Sequence, residues 1–273
     1  MNALILACRK IPWVNGYFPD FTILSLPLAD KPLVEHQLDW CSRRGVERVR
    51  ILDAAYSPKL AEYLGDGSYW GVQLTYERVS QSVLEEDLIR ENGAFLGSGE
   101  PFVIRGGELE YDGKVVKIDS IRAYFELNFK LIDEPHECVL PGYYSEHGVN
   151  LGMNVQIRTG CVVNPPVLLN DNCRVDYNCR INGDVIVGEG SILDRGVCLH
   201  RAIVFPQTYV ARQVELENKI VVGSRVIDPL TGGCVNLAGD VLSADLRGNG
   251  NGVFQRFGRW LRFLRRMVVR HDA

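Results

Sequence analysis

The feature that most constrains this chain is a six-residue repeat that runs from Val149 to about Ala211. Nine consecutive units begin with an aliphatic residue, and each leader is followed by glycine or a polar residue. The leaders are Leu151, Ile157, Val163, Leu169, Val175, Ile181, Val187, Leu193 and Leu199. One unit is a short strand and a corner that cannot bury its apolar positions alone, so successive coils must stack. The repeat therefore predicts a parallel β-helix over residues 139–246.

The repeat resembles the left-handed β-helix of hexapeptide acyltransferases and sugar nucleotidyltransferases, in which three units make one coil. A coil of about 18 residues predicts two columns of stacked side chains. These are Leu151, Leu169, Val187 and Phe205 in one column and Val155, Cys173, Ser191 and Tyr209 in the other. Asn and Gly at the corners suit backbone positions with positive φ. The pair Tyr143-Tyr144 with His147 is expected to cap the open end of the stack.

The segment before the repeat, residues 1–135, alternates between predicted strands and helices. Residues 3–7 form an apolar run that is typical of a buried parallel strand. A helical period follows from Pro32, which suits a first turn, to Gly45, which suits a helix end. Further strands are predicted at 46–52, 72–77 and 101–106, and helices at 56–64 and 84–90. This order predicts a mostly parallel sheet with helices on both faces.

Composition and charge narrow the class of protein. The chain has 273 residues, of which 46% are hydrophobic and 23% charged, as in a soluble globular protein. It has no run of about 18 apolar residues and no recognisable signal peptide, so a cytoplasmic location is expected. The eight cysteines form no CxxC pair and no zinc spacing, which predicts small buried packing residues rather than ligands. We also expect a dimer or trimer, because exposed coil faces and ends commonly associate.

Several motifs before the repeat resemble the sugar-1-phosphate nucleotidyltransferase family, and GDP-mannose pyrophosphorylases in particular. Residues 26–38 match the family's "lP-x-x-gKPl-x-x-x-l" segment, 44–51 its "xxGVxxVxI" segment, and 118–128 its linking helix. The resemblance implies an α/β plus all-β fold, in which a truncated Rossmann-like nucleotidyltransferase domain (1–135) precedes a left-handed β-helix. It also implies that a nucleotide would lie beside the first strand and its loop. The residues it would contact are Leu6, Ala7, Arg9 and Lys10.

The chain departs from the family pattern at the positions that carry catalysis. The family's "A-G-G-x-G-T-R" loop is replaced by residues 7–13, which contain no glycine and include Pro12. The family's lysine falls at Thr22-Ile23, its metal-binding aspartate falls at Gly107, and the sugar-contacting half is short. A magnesium site would have to use Glu108 and Asp112, and a solvated turn at Asp112-Gly113 is the alternative. Apart from that ion, which only retained nucleotidyl transfer would need, no cofactor is expected.

These departures predict a catalytically degenerate homologue. We expect a scaffold or regulator in polysaccharide or glycolipid synthesis that senses a sugar nucleotide. One alternative is an active nucleotidyltransferase with a remodelled loop that makes a nucleotide sugar such as GDP-mannose. The other is a hexapeptide acyltransferase, for which His200 is the only histidine within the repeat that could act as the base.

A basic amphipathic helix is predicted at 253–270, after a glycine-rich linker at 246–252. Its apolar face includes Phe254, Phe257, Trp260, Leu261 and Leu264, and its other face includes Arg259 and Arg266. Six arginines and Asp272 give residues 253–273 a charge of +5, and the rest of the chain carries −9. Such a helix suits the anionic inner face of a membrane, a partner such as a membrane glycosyltransferase, or the chain's own domains. Nucleic acid is not an expected partner, because the body of the protein is acidic.

Overall fold

A parallel sheet with helices on both faces forms the amino-terminal half of the protein. The structure is a computed structural model that describes residues 1–9, 11–98, 101–134, 140, 143–144, 148–237 and 243–245. The elements of this half are β1 (Asn2–Ala7), α1 (Pro12–Tyr17), β2 (Pro27–Leu28), β3 (Lys31–Pro32), α2 (Leu33–Arg43), β4 (Arg48–Asp53), α3 (Pro58–Leu64), a 3-10 turn (Ser68–Trp70), β5 (Gln73–Arg78), α4 (Glu85–Glu91), α5 (Gly93–Leu96), β6 (Phe102–Arg105), β7 (Glu108–Tyr111), β8 (Lys114–Lys117) and α6 (Ile121–Asp133).

The sheet order is β5-β4-β1-β6, and all three pairings are parallel, which confirms the predicted parallel α/β arrangement. After Asn2, strand β1 is apolar because it buries both faces. Ala3 and Ile5 pack into the main core, and Leu4 and Leu6 pack on the opposite side with Leu88. The strand order reverses between β1 and β6, and ligand sites of such sheets lie at the carboxyl ends of strands near this point.

A short hairpin precedes helix α2, which lies within the helical period predicted from Pro32 to Gly45. Strands β2 and β3 pair as an antiparallel hairpin whose two turn residues, Ala29 and Asp30, have φ of 47° and 59°. Positive φ at both turn residues gives a hairpin the twist that its strands require. The side-chain amide of Asn128 on α6 holds this turn in place. Oδ1 accepts the Ala29 N–H at 2.7 Å, and Nδ2 donates to the Tyr124 carbonyl at 2.8 Å.

The carboxyl-terminal half is a stack of short strands through which the chain coils. Its strands are β9 (Tyr143–Tyr144), β10 (Val149–Leu151), β11 (Gln156–Ile157), β12 (Val162–Asn164), β13 (Val167–Leu169), β14 (Arg174–Val175), β15 (Arg180–Asn182), β16 (Val185–Val187), β17 (Ile192–Leu193), β18 (Cys198–Val204), β19 (Thr208–Val210), β20 (Glu215–Val222), β21 (Arg225–Ile227), β22 (Cys234–Asn236) and β23 (Ser243–Asp245). Successive coils pair in parallel, and Val149, Val167 and Val185 lie in one register, 18 residues apart.

The corners confirm the expectation of Asn and Gly at positive φ. Asn154, Asn172 and Gly190 have φ of 56°, 58° and 66° and form one corner column. A second corner column is formed by Gly160, Asn178, Gly196 and Gln213. In both columns the residue with positive φ is the third after the aliphatic leader, not the one directly after it.

The third coil, which starts at Val185, is one residue shorter than predicted. Arg180 still pairs with Cys198, 18 residues on, but Val185 pairs with Ala202, only 17 residues on. A residue is therefore missing from the corner that contains His200. In the first predicted column Val204 replaces Phe205.

The same deletion alters the second predicted column and one side-chain direction. Ile192 pairs with Tyr209, so Ser191 lies beside Thr208, whose N–H donates to the Ser191 Oγ at 3.2 Å. Ile203, which the repeat frame pointed inward, faces outward into the core of the α/β half.

The α/β half packs against a side of the stack rather than at its end. The middle residues of four stacked strands point outward and are almost fully buried in the α/β core. They are Leu168, Ile186, Ile203 and Ile220. Phe205, displaced from the interior by the short coil, stacks on Phe18 with ring centroids 5.1 Å apart. These strands therefore bury both of their faces.

Two polar contacts secure the interface at the corners. The Oδ2 of Asp30 accepts hydrogen bonds from Asn170 Nδ2 at 2.6 Å and from the Glu189 N–H at 2.9 Å. Gly188 permits this approach, since a Cβ there would lie 2.6 Å from Asp30 Oδ1. At the short corner, Arg201 donates to both carboxylate oxygens of Glu126 on α6, at 3.0 and 2.9 Å.

No helix in the described ranges is long and apolar enough to cross a membrane. The predicted helix at 253–270 lies outside the described residues, as do Lys10 and His147.

The Asp30 contact predicts a pH-dependent stability. Loss of water around its carboxylate raises the pKa of Asp30 from 3.8 to about 7. Between about pH 4 and 7 the folded chain keeps a proton that the unfolded chain has lost, so this contribution to stability falls as pH rises through that window. We expect Asp30→Asn to remove this pH dependence. The change in the free energy of unfolding that is lost across the window is at most about 4 kcal/mol. Urea unfolding at pH 4, 5.5 and 8 measures it.

The exposed Asp119 supplies the control, because Asp119→Asn changes the same chemical group outside the interface. Equal pH slopes for the wild-type and Asp30→Asn proteins would contradict the assignment.

Candidate functional site

A cavity of about 250 Å³ opens at the carboxyl ends of β1 and β4. It lies beside the point where the strand order of the sheet reverses. Its walls come from the end of β1, from α1 and the loop after it, and from the end of β4. The lining residues are Ala7, Arg9, Ile11, Val14, Asn15, Pro19, Asp20, Phe21, Thr22, Ile23, Asp53 and Ala55. The floor is apolar and the rim carries both signs of charge.

The loop between β1 and α1 places Arg9 at this rim. Arg9 is largely exposed, and its Nε lies 3.7 Å from a carboxylate oxygen of Glu85 at the start of α4. The preceding residue, Cys8, is buried, and burial raises the pKa of its thiol. Helix α1 begins at Pro12 without a side-chain cap. The described residues of this loop, Cys8, Arg9 and Ile11, therefore offer a buried thiol, an exposed cation and an apolar side chain rather than glycines that expose backbone N–H groups to a phosphate.

A chain of ion pairs continues from Glu85 along the neighbouring strands. Arg105 Nε donates to Glu85 at 3.0 Å, and this hydrogen bond raises the pKa of Arg105. Glu108 lies 3.7 Å from Arg105 on one side and 3.7 Å from Lys117 on the other. The Glu108 carboxylate thus faces two cations.

The residues predicted to hold magnesium lie at the two ends of one strand. Glu108 begins β7 and Asp112 follows the end of that strand, in a hairpin turn with Gly113 where φ is 52° and 66°. The rest of β7 lies between them, and a strand rises about 3.3 Å per residue. Glu110, between them, pairs with Arg44 at 3.0 Å. In the described part of the chain, no three His, Cys, Asp or Glu side chains are grouped as metal ligands.

Asp53 is a site residue that sequence reasoning missed. It ends β4, is 1% exposed and lines the cavity. One of its oxygens accepts the Ala55 N–H at 2.8 Å, and the other accepts a hydrogen bond from the Tyr76 hydroxyl. Burial raises the pKa of Asp53, and both hydrogen bonds act against that rise. The signal was present in the sequence, since an aspartate directly follows the apolar end of a predicted buried strand.

Gly106 and Gly107 serve packing. A Cβ at Gly106 would lie 3.0 Å from the Cβ of Ala7, and one at Gly107 would lie 3.2 Å from Ile11. The buried amide of Gln37 holds the turn by donating to the Arg105 carbonyl at 3.0 Å and the Glu108 carbonyl at 2.8 Å.

The remaining predicted residues lie apart from the cavity or on its far side. Leu6 is buried on the face of the sheet that α4 and α5 cover, so Ala7 and Arg9 are the described residues among the predicted nucleotide contacts that line the cavity. His200 is exposed in β18, opposite Glu217 of β20.

The stack cysteines within the described residues are free thiols. Cys173 is buried and donates to the Gly188 carbonyl of the next coil at 3.2 Å. Cys179 is also buried, and it donates to the Asp194 carbonyl at 3.1 Å.

Comparison with known proteins adds little to this geometry. No protein-family model matches the sequence, and no curated protein matches it. A solved structure that it resembles is a Bacillus anthracis protein described as a glucose-1-phosphate thymidylyltransferase in complex with sucrose. The identity is 19% and the TM-score 0.38, over 41% of this chain and 46% of that one, so the chain spans less than half of that protein. The site is therefore interpreted from its own residues.

The Asp53 contacts predict a pH-dependent effect of Tyr76→Phe. Loss of the hydroxyl removes a hydrogen bond to a buried carboxylate, which costs about 1.5–3 kcal/mol at pH 7. The pKa of Asp53 then rises further, so the cost shrinks as pH falls and the carboxyl becomes protonated in both proteins. Guanidinium unfolding at pH 4 and pH 7 measures the difference.

Tyr56→Phe is the matched control. Its ring lies 4.9 Å from the ring of Tyr76, but Asp53 accepts from Tyr76. A cost for Tyr76→Phe that is the same at pH 4 and pH 7, or no larger than for the control, would refute the role of the hydroxyl.

Proposed function

We propose that the chain is a nucleotidyltransferase-like protein that binds a sugar nucleotide at the carboxyl end of its parallel sheet without turning it over. It would act as a scaffold or regulator in polysaccharide or glycolipid synthesis. The cavity between the ends of β1 and β4 carries this proposal, because it combines an apolar floor with a rim of Arg9, Asn15 and Thr22. Sheets of this order bind ligands at this edge.

The charges around the cavity support binding rather than catalysis. Nucleotidyl transfer requires donors and cations aimed at a transferring phosphate. Here Arg9 and Arg105 are turned toward Glu85, and Glu108 is engaged by Arg105 and Lys117. Each group would have to exchange a partner within the protein for the substrate.

The size of the cavity limits what it holds. At about 250 Å³ it is smaller than the roughly 300–1,000 Å³ of pockets that enclose whole drug-sized ligands. A base or a sugar fits within it, and the rest of a sugar nucleotide would lie over its rim.

The experiment is a binding titration paired with a turnover assay. Isothermal calorimetry with UDP-, dTDP- and GDP-sugars is expected to show binding of at least one of them. Pyrophosphate release from each nucleoside triphosphate with its sugar 1-phosphate is expected to stay at background.

Asn15→Trp fills the cavity from α1 and should weaken binding at least tenfold. Gly16→Trp adds the same side chain at the next residue, which does not line the cavity and has open space around it. Clear turnover would overturn the non-catalytic role, and equal binding by both variants would overturn the site.

The segment 253–270 extends the proposal to a membrane. Its six arginines and its Phe, Trp and Leu residues suit the surface of an anionic bilayer, where a regulator of glycolipid synthesis would work. A partner protein or the chain's own surface is the alternative contact for this segment.

Co-sedimentation tests the membrane contact. The full chain should pellet with vesicles that contain phosphatidylserine and remain in solution with neutral vesicles. A chain that ends at Asn249 should not pellet with either. Equal pelleting of the two chains would remove the membrane from the proposal.

A further inference from the structure

A second, smaller cavity lies where the two halves of the protein meet. Its volume is about 90 Å³, and its walls are the loop after α1 on one side and the β20–β21 turn on the other. Pro19, Asp20 and Phe21 line this cavity as well as the larger one at the sheet edge. A single three-residue segment therefore separates the two spaces.

Arg225 from the stack lines the small cavity. It is half-buried at the start of β21, directly after the two-residue turn Gly223-Ser224. One N–H group donates to the Tyr17 carbonyl at 3.1 Å, and none of the ion pairs among the described residues includes Arg225. A guanidinium carries five N–H donors, so most of its capacity is not used by that carbonyl.

Arg201 provides a contrast, because its guanidinium is paired with carboxylates. Arg201 is also a half-buried stack arginine at the interface, but it lies 2.9 Å from Glu126 and 3.0 Å from Asp184. A cation that is partly removed from water without a carboxylate at ion-pair distance is costly, and an incoming anion that contacts it directly relieves that cost. The fork of a guanidinium matches phosphate oxygens especially well.

We propose that Arg225 and the β20–β21 turn form an anion site that holds a phosphate group of the bound ligand. The cavity has room for a single tetrahedral oxyanion. The rings of Phe18 and Phe21 in its walls exclude water and strengthen the attraction between guanidinium and phosphate.

The position of Asp20 indicates how such a ligand lies. Asp20 lines both cavities, and its carboxylate repels a phosphate but accepts hydrogen bonds from hydroxyl groups. The hydroxylated part of a ligand is therefore directed to the wall between the cavities, and the anionic part to Arg225. This inference rests on the proposed function for the ligand in the larger cavity, whereas the anion site itself does not require it.

Calorimetry with two kinds of probe tests the site. Inorganic phosphate and pyrophosphate report a free anion, and the sugar nucleotide that binds best reports a phosphate within a larger ligand. Arg225→Gln is expected to weaken the binding of at least one kind of probe at least tenfold. Arg225→Lys is expected to weaken that binding less. Arg174→Gln is the control, since it is the same change in a stack arginine that pairs with Asp176 in another column of strands.

Ser224→Asp guards against a folding defect in the Arg225 variants. It keeps the Arg225 contact with Tyr17 but adds a carboxylate beside the guanidinium, and should lower anion affinity by a similar factor. Thermal unfolding confirms that each variant folds.

The outcomes separate this inference from the proposed function. Sugar-nucleotide binding that Arg225→Gln and Ser224→Asp leave unchanged, without inorganic anion binding, would overturn the anion site and leave the function standing. Arg225-dependent binding of phosphate or pyrophosphate, without any sugar nucleotide, would support the site and overturn the function. No binding of any probe would overturn both.

Discussion

The burial of four outward-facing aliphatic side chains holds the molecule together. Leu168, Ile186, Ile203 and Ile220 lie in successive strands of the stack and fill the core of the α/β half. Each contributes about 1.5–3 kcal/mol, if it would otherwise be exposed to water. A stack that only had to be stable alone would carry polar residues at these positions. The two halves therefore share a core, and separating them would expose these apolar side chains to water.

The segment that resembles the nucleotidyltransferase motif takes part in the contact between the two halves. Its hairpin turn reaches the stack, where Asp30 binds the side chain of Asn170 and the backbone of Glu189. The approach depends on Gly188, whose missing side chain lets the carboxylate come close. Because this segment anchors the interface, its likeness to the family motif does not by itself indicate a contact with a substrate.

Features that depend on the local spacing of apolar residues were predicted from the sequence. Features that depend on how neighbouring coils pair were not. The βαβ order and the 18-residue register follow from apolar spacing, and both are found. The missing residue in the third coil was not predicted because Leu199 and Ile203 keep the spacing of the repeat, although Ile203 faces outward. Only pairing with Val185 and Ile186 reveals the shift. Ala7 and Arg9 both line the cavity at the sheet edge, whereas the positions of Glu108 and Asp112 depend on strand geometry that sequence spacing does not contain.

That one-residue deletion links the interface to the site. It turns Phe205 out of the stack and onto Phe18 and Phe21, two of the residues around the segment between the cavities. It also leaves Arg201 at positive φ in the shortened corner, where it reaches Glu126 on α6. The segment from Tyr17 to Phe21 is thus held by the stack, through the ring of Phe205 and the hydrogen bond from Arg225 to the Tyr17 carbonyl. A ligand that moved this segment would change its contacts with the stack, and its binding would then be energetically coupled to the packing of the two halves.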